Sequence, residues 1–104
     1  MSILSSIFGT AKPTPEQQFI TLRDDGVRAM QMNELPYAEK CLLAALEIND
    51  DLKTKGFLAE VYLRMNNNEK ALPLLQSLAA SSDDTLEIDL LLAQTQGKLK
   101  MYDA

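Results

Sequence analysis

A chain of 104 residues has room for one hydrophobic core and not two. Its net charge of −5 opposes a phosphate backbone, and the ten Lys and Arg residues are scattered rather than gathered into a basic patch, which argues against nucleic-acid binding. With 46% hydrophobic residues, only four Gly and four Pro, and an abundance of Ala, Leu, Glu, Lys and Gln, the composition predicts an all-α folded domain.

Residues 1–13 read as a flexible leader. Its Ile3, Leu4, Ile7 and Phe8 are apolar, yet the segment is too short for a signal peptide and has no basic side chain before Lys12. No stretch approaches the ~20 apolar residues that span a bilayer, so a cytoplasmic location is the expectation. The first helix starts at Thr14-Pro15-Glu16-Gln17. Thr14 caps the free amides, Gln17 completes a capping box, and Pro15 sits where no N–H is needed. Phe19, Leu22, Gly26, Ala29, Met30 and Met32 follow at helical spacing.

Asn33-Glu34 makes a turn before Pro36. Ala38, Leu42, Ala45, Leu46 and Ile48 then mark a second helix, with Cys41 as a small buried residue, ending at Asn49-Asp50-Asp51. A third helix carries Leu58, Ala59, Val61, Tyr62, Leu63 and Met65, and Asn66-Asn67-Asn68 breaks it. The fourth holds Ala71, Leu72, Leu74, Leu75, Leu78 and Ala79, and Ser81-Ser82-Asp83-Asp84 closes it. Pro73 either bends it or displaces its start. The fifth helix is predicted from about Thr85 to Gly97.

A shift of 33 residues superposes Met32 on Met65, Asn33 on Asn66, Ala38 on Ala71, Leu42 on Leu75, and Asp50-Asp51 on Asp83-Asp84. Gly26 then meets Ala59, so small residues recur where two helices must approach closely. The first copy reads Leu22-x2-Asp25-Gly26-x2-Ala29, then Ala38-x3-Leu42. The second reads Lys55-x2-Leu58-Ala59-x2-Tyr62, then Ala71-x3-Leu75. A third begins with Asp89-x2-Leu92-Ala93. Over residues 19–100 this pattern resembles the tetratricopeptide repeat, although Trp is missing from the large-residue positions and the closing proline from both copies.

The resemblance implies stacked antiparallel helical hairpins forming a right-handed solenoid, with five helices and about two and a half repeats over residues 14–100. Residues 101–104 are then a tail or the start of a further helix. It also implies a protein–protein interaction module that binds a protein or peptide in a concave groove. In such a groove the first helix would supply Arg23, Val27 and Met30, the third Phe57, Glu60, Leu63 and Arg64, and the fifth Leu90, Gln94 and Lys98. The subfamily that clamps a C-terminal carboxylate is not matched: Val27 and Phe57 stand where asparagine is needed, and Glu87 and Leu91 where basic residues are.

Catalysis finds little material. No histidine, Gly-rich phosphate loop, metal-ligand cluster or nucleophile with a partner base is present, so neither an enzyme nor a cofactor is expected. The pairs Asp50-Asp51 and Asp83-Asp84 recur where helices start, which marks them as caps rather than calcium ligands. The fifth helix is apolar nearly all round, with Leu86, Ile88, Leu90, Leu91, Leu92 and Ala93. Its cover could be a continuation of the chain past Ala104, the favoured reading, or a second copy, or the folded-back leader. A homo-oligomer through this helix and membrane contact through the leader are the competing functions.

Overall fold

The computed structural model describes residues 12–81 and 86–103, with side chains at 12–81 and 88–100. Five helices make up nearly all of it: α1 (Pro15–Gln31), α2 (Leu35–Ile48), α3 (Leu52–Arg64), α4 (Asn68–Ser81) and α5 (Leu86–Asp103). No strand occurs among the described residues, and the fold is all-α. The expectations placed on Ile3, Leu4, Ile7, Phe8, Asp83, Asp84 and Thr85 fall outside the described residues.

The helix starts follow from local chemistry. Thr14 Oγ1 accepts from the Gln17 amide at 3.1 Å, and Gln17 Oε1 accepts in return from the Thr14 amide at 2.9 Å. This is the reciprocal box, with Pro15 in the first turn. At α3, Asp51 Oδ2 accepts from both the amide (2.9 Å) and the hydroxyl (2.7 Å) of Thr54. Those bonds favour the charged carboxylate, the hydroxyl most of all, and hold the Asp51 pKa below its ordinary value. Pro73 lies inside α4, six positions into the helix, and does not displace its start.

The two tight turns repeat each other bond for bond. Asn33 and Asn66 both take a left-handed φ of 62°. Around them Met32 N donates to Arg28 O, Asn33 N to Met30 O, and Glu34 N to Ala29 O. Thirty-three residues on, Met65 N donates to Val61 O, Asn66 N to Leu63 O, and Asn67 N to Tyr62 O. The spacing seen in the sequence is therefore a repeat of backbone geometry, carried by a residue type that tolerates positive φ. A three-residue turn folds α1 back on α2, and an identical one folds α3 back on α4, so each pair is an antiparallel hairpin.

Small residues let these helices close on each other. A Cβ added at Gly26 would lie 2.7 Å from Leu42 Cγ and Cδ2, and Leu42 is fully buried. Ala38, Ala45 and Ala71 are likewise fully enclosed. One apolar cluster runs through the molecule from Ala29 and Met30 to Leu58, Val61, Tyr62 and Leu75, and Cys41 is buried beside Leu42. Each helix packs on the next in sequence, and α1 also touches α3. Polar ties reinforce the order: Lys55 pairs with Asp50 (2.9 Å) and donates to Ser77 Oγ of α4 (3.3 Å), while Arg64 Nη1 donates to the Met30 carbonyl of α1 (3.2 Å). The Tyr62 hydroxyl is pushed up to about 12 by burial and by its hydrogen bond to Glu39 of α2.

Helix α5 departs from expectation in two ways. It runs past Gly97 to Asp103, so Lys100–Asp103 continues the same helix and opens no second one. The residue in register with Asn33 and Asn66 is Leu99, which resists positive φ and leaves no turn to make. Its alignment is also one residue off the predicted Leu92-Ala93. Thr95 is buried at 1% exposure, in step with Ala29 and Tyr62, whereas Ala93 is exposed. The repeat therefore keeps its spacing of 33, with Leu91-Leu92 standing where α3 has Leu58-Ala59.

Candidate interaction groove

Helix α3 is the central wall of two neighbouring clefts. The first, about 440 Å³, lies between α1 and α3 and is lined by Arg23, Asp24, Val27, Arg28, Gln31, Lys53 and Phe57. The second, about 510 Å³, lies between α3 and α5 with α4 beneath it. Its walls are mainly apolar: Phe57 and Leu63 from α3, Leu75 and Leu78 from α4, and Ile88 and Leu91 from α5, with Lys53 and Glu60 at the edge. Phe57 and Lys53 line both, so the clefts adjoin across α3. Gly56 adds to the room, because a Cβ there would meet nothing within 4 Å.

The predicted groove residues separate into four groups. Arg23, Val27, Phe57, Glu60 and Leu63 line these clefts. Arg64 stands at the end of α3, exposed, pairing with Glu60 at 3.5 Å while anchoring α1 through the Met30 carbonyl. Met30 itself is turned into the core at 6% exposure. Leu90, Gln94 and Lys98 are exposed on α5 and line neither cleft, since α5 turns Ile88 and Leu91 toward α3 instead. Reasoning from sequence missed Lys53, Arg28 and Gln31. Lys53 lies one helical turn before Phe57, so extending the same stripe backward would have found it.

Charge is unevenly placed. The first cleft has three cations, Arg23, Arg28 and Lys53, against one carboxylate, Asp24. Arg23 lies over the Phe19 ring with 5.6 Å to its centre and pairs with Asp24 at 3.2 Å, so its guanidinium is pre-oriented. Arg28 pairs with Asp25 through an exposed contact of 3.6 Å and borders a further cleft as well, with Asp25, Met32, Glu34 and Tyr37. Lys53 is exposed and makes no hydrogen bond or close ion pair among the described residues, although it and Arg23 both attract the Asp51 carboxylate.

No group of His, Cys, Asp and Glu fit to hold a metal ion occurs among the described residues. Nor is any described helix long and apolar enough to cross a membrane. Comparison with protein-family models, with curated proteins and with solved structures finds no match to this chain.

Proposed function

We propose that the chain is a short tetratricopeptide-like stack whose odd-numbered helices hold a segment of another protein, and that it acts by binding rather than catalysis. The observation that carries this reading is the pair of adjoining clefts meeting at Phe57 and Lys53, one polar and one apolar. Together they offer a partner both an apolar anchor and a charged contact that orients it. The solenoid reading draws on the 33-residue repeat of the turn hydrogen bonds and on the small residues at Gly26, Ala38, Ala59 and Ala71.

Site-specific photo-crosslinking tests it. p-Benzoylphenylalanine in place of Phe57 is expected to capture a discrete partner from native extract, while the same group in place of the exposed Leu43 of α2 captures none. Equal capture at both positions, or none at 57, would overturn the reading. A second reading, self-association through α5, draws on Leu90, which stays 57% exposed. It requires a molecular mass that rises with concentration in sedimentation and stops rising in Leu90→Lys.

A further inference from the structure

We infer that the ligand of the adjoining clefts is an acidic-apolar peptide: a segment with one or two carboxylates that meet Arg28 and Lys53, next to aliphatic or aromatic side chains that enter the space under Phe57. This deepens the binding-module reading and rests on it. The argument is charge complementarity set beside apolar shape. The chain carries −5 overall, yet the residues lining the α1–α3 cleft include three cations and one carboxylate, with Asp25 paired to Arg28 and Asp51 near Arg23 and Lys53 at its margin. An acidic group therefore meets a higher proportion of cations along this lining than over the chain as a whole.

The cations are also available. Arg28 holds its own carboxylate only through an exposed contact of 3.6 Å, a kind of pair that contributes little and exchanges readily. Lys53 is exposed, has no ion pair within 4 Å among the described residues and only the weak attraction of Asp51 to exchange, and it lines both clefts. Its neighbour across the boundary is Phe57, beyond which Leu63, Leu78, Ile88 and Leu91 supply only apolar surface. A carboxylate seated at Lys53 therefore places the residues next to it over the apolar cleft, whose volume of about 510 Å³ suits a few aliphatic side chains. A polyanion such as nucleic acid fits poorly, because three cations beside a −5 surface neutralise too few phosphates.

Selection of a random displayed-peptide library on the full chain, and on an Arg28→Glu, Lys53→Glu variant, tests this. Both side chains are exposed, so the variant should keep its helical circular dichroism. The full chain is expected to enrich peptides with Asp or Glu beside Leu, Ile, Met or Phe, and the variant to enrich Lys or Arg at the same places. A synthetic copy of an enriched peptide should bind the variant about tenfold more weakly, and should lose about fivefold in affinity between roughly 0.05 and 0.3 M salt. Enriched peptides without an acidic bias, or the same bias on both proteins, would overturn the inference and leave the binding module standing. Failure to enrich anything on the full chain would overturn both. Tighter binding of a single-stranded oligonucleotide or of phosphatidylserine vesicles than of the peptide would also reject it.

Discussion

Two glycines inside helices show how far one added methyl group depends on its surroundings. At Gly26 a Cβ would sit 2.7 Å from Leu42 Cγ and Cδ2 and 3.3 Å from Cys41 Cβ, and Leu42 has no solvent-exposed surface through which to yield. Overpacking of this kind exceeds the gain in helix propensity, so Gly26→Ala should lower the free energy of unfolding by about 1–2 kcal/mol. At Gly56 there is open space, and Gly56→Ala should raise it by about 0.5–1 kcal/mol. Urea unfolding followed by circular dichroism reads both, and an unchanged Gly26→Ala would mean that Leu42 can move aside. Asp51 gives the matching electrostatic case. Its carboxyl has an ordinary pKa of 3.8, lowered in the fold chiefly by the Thr54 hydroxyl. The cap therefore stabilises fully above that value and is lost as pH falls through the lowered one. Asp51→Ala should cost about 1 kcal/mol at neutral pH, and the gap between it and the parent chain should close as pH falls below the ordinary carboxyl value of 3.8. A gap that stayed constant into acid would refute the assignment.

At the scale of the helix, the left-handed residue in each tight turn decides where one helix stops and the next begins. A leucine held at φ 62° costs about 1–2 kcal/mol, whereas glycine adopts that backbone freely. Asn66→Leu should accordingly lower the thermal midpoint and Asn66→Gly should leave it nearly unchanged; equal losses in the two variants would show that the asparagine side chain matters more than its φ. This chemistry was readable in advance, because Asn33 and Asn66 announce themselves by type and by spacing, as Thr14-Pro15 announces the start of α1. The end of α5 was not. Gly97 looks like a helix stop, but glycine ends a helix only where the chain turns left-handed, and α5 runs straight through it. The groove was readable only in part for a similar reason. A stripe drawn through Met30 gives the period correctly, yet the period does not say which flank of an apolar stripe turns inward, and Met30 went to the core. Lys53 lay on the right stripe one turn further back, and the side of α5 that faces α3 depends on packing angles that no local pattern encodes.

For the molecule as a whole, stability should be graded along the stack. Helix α3 is held by α1, α2 and α4 and buries Leu58, Ala59, Val61 and Tyr62. Among the described elements helix α5 packs on α4; Thr95 is the buried residue among its described side chains, and the Thr95 hydroxyl donates to Leu91 O within the same helix (2.7 Å) rather than to a neighbour. Releasing α5 thus leaves the core cluster around Leu58 and Leu75 largely enclosed, and local opening there needs less free energy than unfolding the chain. Native-state hydrogen exchange should show α5 amides exchanging at least about tenfold faster than those of α3, which corresponds to about 1.4 kcal/mol or more in opening free energy. Protection of α5 equal to that of α3 would mean that the two open as one unit. The same measurement separates the two clefts. A peptide whose apolar residues fill the space between α3 and α5 bridges them and must slow exchange in α5, because opening that helix would then also require the ligand to leave. One held only by Arg23, Arg28 and Lys53 should slow α1 and α3 and leave α5 as fast as before, so the pattern of protection identifies which cleft carries the binding.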